Sequence, residues 1–306
     1  MTARILDGRA VAGEVHGEVR QGVDLLRLET GVTPGLAVVL VGRDSASEVY
    51  VAAKERAARA VGIETETIRL PADCSESDLL LEIERCNRDS RFHGILVQLP
   101  LPPHIDPMTA IGTVNPLKDV DGLHPENMGL LLMGAPRFVP CTPAGIQRVL
   151  VDSEVSTDGR HLVICGRSRV VGRPLAALMM QKHREANATV TIAHTGTRNL
   201  VSMCQQADIL VVAIDSPKGV TADMVKKGAV VIDVGIHRVP DSTARKGYRI
   251  VGDVDFDSVM ERAGAITPVP GGIGPMTVAM LLVNTLKAAR LAVRTGEQSP
   301  YTSAVV

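Results

Sequence analysis

The chain has 306 residues, 45% of them hydrophobic, which is enough for two domains, each with a core of its own. Its formal charge of -1 argues against a nucleic-acid or polybasic membrane partner, and three Tyr, three Phe and no Trp leave few rings for stacking single-stranded bases. Cys74, Cys86, Cys141, Cys165 and Cys204 are odd in number and lack a C-x-x-C, and the eight His lack an H-x-x-x-H, so the pattern predicts reduced thiols in a cytoplasmic protein with no metal site.

The first fifteen residues contain no long apolar run and read as the start of an amphipathic helix, with no secretory signal or membrane span. Helical periodicity continues over residues 8–30. GLAVVLV (35–41) predicts a buried strand, and the Ala-rich stretch 45–61 a helix ending at Gly62. A strand at 64–70, a helix at 76–89, a strand at 94–98 and a helix at 105–111 follow. Residues 116–143 carry a helix and bridge to a second unit. There, strands at 161–165, 189–193, 207–213 and 229–234 surround a helix at 175–182. Apolar strands alternating with helices imply parallel sheets: an α/β fold of two α/β domains around a cleft, the second a Rossmann-like βαβαβ domain. Residues 1–140 and a returning C-terminal helix at 277–295 form the first domain, 141–276 the second, and 296–306 a tail.

Thr267-Pro268-Val269-Pro270-Gly271-Gly272-Ile273-Gly274-Pro275-Met276-Thr277 runs into an apolar helical segment, 278–291. Prolines stiffen such a loop and glycines admit a flat or anionic ligand; an ordinary loop with a Pro-initiated helix is the plain alternative. Cys165-Gly166-Arg167-Ser168-Arg169-Val170-Val171-Gly172 stands between a strand and a helix, where a dinucleotide loop belongs, although it is not G-x-G-x-x-G. The next strand ends in His194-Thr195-Gly196-Thr197-Arg198 without a carboxylate. Arg167, Arg169 and Arg198 suit an adenosine 2′-phosphate, so NADP is expected over NAD unless these arginines are solvated surface.

Ser47, Tyr50 and Lys54 share one helical face. A Lys–Tyr pair can work as base and acid if burial or cationic neighbours lower the lysine pKa; otherwise it is a surface Lys beside a half-buried Tyr. Gln98 ends a strand, where parallel sheets bind ligands; it can orient an amine or simply cap the Pro-rich loop. Asp119 and Asp121 next to Gly122 can bind a polar ligand or a metal, or form an Asx turn; no EF-hand follows.

SEVYVAAKERAARAVGI, GILVQLPLP, NPLKDVDGLHPENMG, CTPAG, CGRSRVVGRP, VIDVGIHR, VGDV and TPVPGGIGPMTVAML occur in that order, and with them the chain from about residue 5 to 291 resembles the bifunctional methylenetetrahydrofolate dehydrogenase/methenyltetrahydrofolate cyclohydrolase family. The resemblance implies oxidation of methylene-tetrahydrofolate with NADP⁺, then hydrolysis to 10-formyl-tetrahydrofolate, in a cytoplasmic homodimer serving one-carbon metabolism and purine biosynthesis. It implies that Lys54 is the central catalytic residue, with Gln98 orienting it, Tyr50 stacking on the folate, Asp121 bonding the pterin and Ser47 beside them. It implies substrate contacts at Tyr50, Val97, Gln98, Leu99, Asp121, Pro270, Gly271, Gly274, Pro275 and Thr277. It implies NADP contacts at Gly166, Arg167, Ser168, Thr195 and Ile236. The sequence departs at Gly196, where many members carry a longer or basic side chain.

Three rivals remain in view. A short-chain dehydrogenase shares the Tyr50-x-x-x-Lys54 spacing, but its glycine motif precedes that pair, whereas Gly166 follows it. Another two-domain dehydrogenase, of shikimate or amino-acid type, leaves PGGIGPMT unexplained. A non-catalytic folate-binding relative sits poorly with the presence of Tyr50, Lys54, Gln98 and Asp121 together.

Overall fold

The computed structural model describes residues 2–244 and 247–297. The chain begins with β1 (Arg4–Ile5), α1 (Gly8–Thr30), β2 (Gly35–Val41), α2 (Ser45–Ala60), β3 (Glu64–Leu70), α3 (Glu76–Arg88) and β4 (Gly94–Val97). Then come α4 (Pro107–Thr113), α5 (Pro125–Leu132), α6 (Cys141–Asp152), β5 (His161–Cys165), α7 (Gly172–Met179), β6 (Thr189–Ala193), α8 (Leu200–Gln205) and β7 (Ile209–Val212). A 3-10 turn at Ala222–Met224 precedes β8 (Val230–Asp233), β9 (His237–Pro240), β10 (Tyr248–Val251), α9 (Phe256–Met260), β11 (Ala265–Ile266) and α10 (Ile273–Glu297). Of the expected tail, 298–306 lie outside the described residues.

These elements form two compact units. The first holds the described residues of Glu14–Leu130, Pro136–Cys141 and Val278–Val306; the second holds those of Met1–Gly13, Leu131–Ala135 and Thr142–Thr277.

The first unit carries a three-stranded parallel sheet in the order β3-β2-β4. All seven residues of β2 are buried, as its continuous apolar run requires of a central strand covered on both faces. On one face Ala37, Val39, Val41, Ile95 and Val97 pack with Leu79, Ile83 and Cys86 of α3 and Ala110 of α4. Each fully buried aliphatic side chain there contributes about 1.5–3 kcal/mol. Helix α2 packs on β2 and β3. Its start is set by Asp44, whose carboxylate accepts from the Ser47 N–H at 2.7 Å. Helix α3 opens with a Ser75–Asp78 capping box. Helix α4 lies two residues later than the expected 105–111, because Asp106 caps it and Pro107 occupies its first turn.

The second unit carries a six-stranded, wholly parallel sheet in the order β1-β11-β8-β7-β5-β6. Val163, Cys165, Leu210, Val212, Val231 and Ile266 build its core. Residues 4–5, expected to open a helix, are instead the edge strand β1, paired with β11. Asp7 then ends the extended stretch by accepting from the N–H groups of Arg9 and Ala10. For this reason residues 2–13 group with the second unit, whereas the sequence pattern assigns them to the first. The antiparallel hairpin of β9 and β10 is too short and too polar to stand out from sequence periodicity.

By length and composition, Ile273–Arg294 of α10 could cross a membrane; half of its apolar window is buried inside the protein.

Candidate active site

In the first unit, the seam between β2 and β4 decides where the site forms. The Gln98 N–H donates to Val39 O at 2.9 Å and extends the ladder one residue past β4. The Gln98 side chain then emerges at the carboxyl end of the strand. Its Nε2 donates to Leu99 O at 2.5 Å. With the nitrogen engaged, Oε1 is turned to accept from Lys54 Nζ at 2.9 Å. Lys54 comes from the middle of α2 and is only 9% exposed. Burial lowers its pKa from that of an ordinary lysine, while the nearby Asp121 carboxylate opposes the shift. A neutral amine is therefore easier to reach here than on a surface lysine.

Asp119 and Asp121 lie two apart in sequence and do different work. Asp119 is buried and accepts from the N–H groups of Leu123 and His124 at 3.2 and 2.8 Å and from Asn127 Nδ2 at 2.7 Å. Asn127 in turn donates to Pro116 O and accepts from Arg137. This is the Asx-type scaffold of the loop. Asp121 is partly exposed and faces Lys54 electrostatically. Burial pushes its carboxyl pKa up, Lys54 pulls it down, and Asp119 adds repulsion. Lys54 and Asp121 are each displaced toward their neutral forms, so a proton can move at this point with little electrostatic penalty.

Two residues of this cluster were not singled out from sequence. Cys141 donates its thiol to Val120 O at 3.4 Å, one residue before Asp121. Burial raises its pKa well above the usual thiol value, so it stays a protonated donor. Asn284 of α10 donates to Val120 O at 2.9 Å and Val139 O at 3.0 Å and so braces the backbone beside Asp121. Cys141 opens the CTPAG motif, which was its one sequence signal; Asn284 lies inside an apolar helical pattern and offered none.

Of the other residues expected here, Ser47 is buried and donates its hydroxyl to Asp44 at 2.9 Å, which ties it to the helix cap. Tyr50 stands one turn before Lys54 and is partly exposed, as is Leu99, whereas Val97 is buried.

The second unit holds the Pro270 loop. Pro270 and Gly274 are exposed, Pro275 and Thr277 partly so, and Gly271 is buried. Thr277 Oγ1 is 3.0 Å from Thr142 Oγ1. A Cβ on Gly8 would stand 1.9 Å from Gly272 O, so the glycine pair serves close backbone packing within this unit.

The same unit carries the loop between β5 and α7. Gly166 has φ +126°, and a Cβ there would stand 2.1 Å from Ala213 O, so only glycine fits. Ser168 Oγ accepts from the Val171 N–H at 3.0 Å. Arg167, Ser168 and Thr195 are exposed, and so is Ile236 at 48%. Beyond β6, His194 Nδ1 accepts from the Gly196 N–H at 3.0 Å, which leaves Nε2 as a donor. Arg167 Nη1 lies 3.5 Å from that Nε2. Two donors facing each other at the end of a carboxylate-free strand fit an anion, and the loop as a whole fits a dinucleotide of the 2′-phosphorylated kind. Among the described residues, no group of three or more His, Cys, Asp or Glu is arranged to hold a metal ion.

Residues 6–121 match the family model of the tetrahydrofolate dehydrogenase/cyclohydrolase catalytic domain, and residues 140–293 that of its NAD(P)-binding domain. A bifunctional FolD protein of Syntrophus aciditrophicus is 53% identical over 291 residues, which are 95% of this chain and 99% of that one. The crystal structure of the Campylobacter jejuni bifunctional FolD enzyme superposes with a TM-score of 0.89 at 41% identity, covering 95% of this chain and 99% of that one. The Trypanosoma brucei FolD structure, complexed with NADP cofactor and inhibitor, gives 0.91 at 41% identity, over 96% and 99% of the two chains. Matching family models cover most of the chain in order, and relatives at this identity span nearly all of it; the chain belongs to the tetrahydrofolate dehydrogenase/cyclohydrolase family.

Proposed function

We propose that this chain oxidises methylene-tetrahydrofolate to methenyl-tetrahydrofolate with NADP⁺ and hydrolyses the product to 10-formyl-tetrahydrofolate. The observation that carries the reading is the buried Lys54, bonded to Gln98 and set in the field of Asp121, within a chain of this family. In the hydrolysis, a water oxygen bonds to the bridge carbon and the water proton passes to the Lys54 amine. The bond from that carbon to N5 then breaks as its new hydroxyl becomes the formyl carbonyl; N5 takes up the proton held by Lys54, and the hydroxyl proton is released to solvent, the one proton the reaction yields. Gln98 holds Lys54 by its Oε1, Tyr50 stacks on the folate, and Asp121 accepts from the amino-pyrimidine edge. Ser47 stands with the catalytic group, and Val97, Leu99, Pro270, Gly271, Gly274, Pro275 and Thr277 complete the substrate contacts.

Gly166, Arg167, Ser168, Thr195 and Ile236 hold NADP. The cofactor, when bound, accepts the hydride of the dehydrogenase step; the chain's own part in that step is alignment. We further assign folate binding to the expected domain of residues 1–140 with 277–295, less the N-terminal stretch through Gly13 that groups with the second unit, and NADP binding to 141–276. The working form is a cytoplasmic homodimer in one-carbon metabolism, upstream of purine biosynthesis. Five free thiols suit a reducing compartment.

One assay tests the reading. On mixing with methylene-tetrahydrofolate and NADP⁺, NADPH absorbance should rise while methenyl absorbance passes through a maximum. No NADPH formation would overturn it.

Arg167 separates NADP from NAD. Arg167→Ala should raise the Michaelis constant for NADP⁺ roughly tenfold or more, the cost of one lost charge-assisted hydrogen bond, and change that for NAD⁺ little. Equal effects on both would count against a 2′-phosphate contact.

A further inference from the structure

The motifs VIDVGIHR and VGDV meet in the second unit around two buried carboxylates, Asp233 and Asp253. Asp253 Oδ2 accepts from the N–H groups of Ile214 and Asp215 at 2.8 and 3.2 Å, and Oδ1 from that of Ser216 at 2.9 Å. His237 Nε2 lies 2.7 Å from the same Oδ1, with the His237 side chain largely buried. Asp233 Oδ1 accepts from the N–H groups of Gly235 and Asp253, and Oδ2 from that of Val254. The Asp233 N–H donates to Thr267 Oγ1 at 2.8 Å. Burial pushes Asp233 up to about 6, so near neutral pH it remains mostly the carboxylate that these donors need. Glycine is required beside both acids: a Cβ on Gly252 would stand 1.8 Å from Asp233 Oδ2, and one on Gly235 2.4 Å from the Asp253 carboxyl carbon.

The loops pinned in this way follow β7 and β8, at the carboxyl ends of parallel strands where dinucleotides bind. Ala213, one residue before the Asp253-bound turn, packs its carbonyl against Gly166. Ile236, an exposed apolar residue, is flanked by Gly235 and His237, each bonded to one of the two acids. We infer that Asp253 and His237, backed by Asp233, are positioning residues for NADP: they hold Ile236 and the 213–216 turn in the shape that receives the cofactor. This rests on the proposed function, because it concerns how that cofactor surface is kept.

The two activities can be separated, since hydrolysis of the methenyl compound consumes no NADP. The test uses the whole protein, with NADP⁺ affinity measured by calorimetry and methenyl hydrolysis measured without cofactor. His237→Ala removes one hydrogen bond to a buried charge and should weaken NADP⁺ binding roughly tenfold. Hydrolysis should change far less. His237→Gln places a donor near the position of Nε2 and should recover most of the affinity. Asp253→Asn puts an amide among donors and should weaken binding further; if it fails to fold, the His237 pair decides alone. Unchanged NADP⁺ affinity in His237→Ala overturns the inference, as does a parallel loss of hydrolysis or a failure of His237→Gln to restore binding. Wild-type protein that binds no NADP⁺ overturns the proposed function itself, and the inference with it.

Discussion

Lys54→Met should bring methenyl-tetrahydrofolate hydrolysis down to its spontaneous rate. Methionine keeps the length and apolar bulk of the lysine stem, so α2 loses no packing. What disappears is the amine that donates to Gln98 Oε1 at 2.9 Å. Removing a positioned proton-transfer group typically costs about 10²–10⁴-fold, and the loss should fall in kcat. Tyr50, Asp121 and the Pro270 loop are untouched, so folate binding should survive in part. Hydride transfer needs alignment above all, so its decline should be smaller and should follow the misplaced substrate. Gln98→Asn serves as the graded case. One methylene fewer draws the amide oxygen back from Lys54, so hydrolysis should fall while the lysine remains. Wild-type hydrolysis by Lys54→Met, measured against the spontaneous background, would remove Lys54 from the chemistry.

The legibility of this cluster followed the range of the interactions that build it. Tyr50 and Lys54 share a helical stripe four residues apart, and local periodicity reveals that. Gln98 was visible because a strand's carboxyl end is a position of known use. The 2.9 Å contact between Lys54 and Gln98 spans 44 residues and depends on Nε2 of the amide being held by Leu99 O, which no spacing encodes. Asp119 and Asp121 looked alike in sequence. Only burial and partners separate the one that accepts four-square from its own loop from the one that faces the lysine. Asn284 carries no sign of a site role and Cys141 only its place in CTPAG, for the same reason: their partner Val120 lies on a loop distant in sequence. Among the elements, long apolar strands such as β2 were clear, whereas β1 and β11 are two residues each and exist through pairing, β1 with β11 and β11 also with β8. A two-residue strand has no periodicity to read.

Asp121→Asn should be the second most damaging change, and its pH dependence tells more than its size. The substitution removes a carboxylate acceptor and should cut kcat/KM for methylene-tetrahydrofolate by roughly ten- to a hundredfold, the range for a lost hydrogen bond to a charged group. It also alters Lys54. The Asp121 charge favours the ammonium and so raises the Lys54 pKa, against the larger lowering from burial. Taking the charge away leaves burial less opposed, and the lysine must lose its proton at lower pH than in the wild type. If the neutral amine is the working form, the rising limb of kcat against pH for methenyl hydrolysis must move to lower pH in Asp121→Asn. Asp119→Asn is the contrast. That carboxylate holds the N–H groups of Leu123 and His124, so its loss should lower the melting temperature and leave the limb nearly in place. A limb that stays put in Asp121→Asn, or moves to higher pH, would mean that the titrating group is not Lys54 under the field of Asp121.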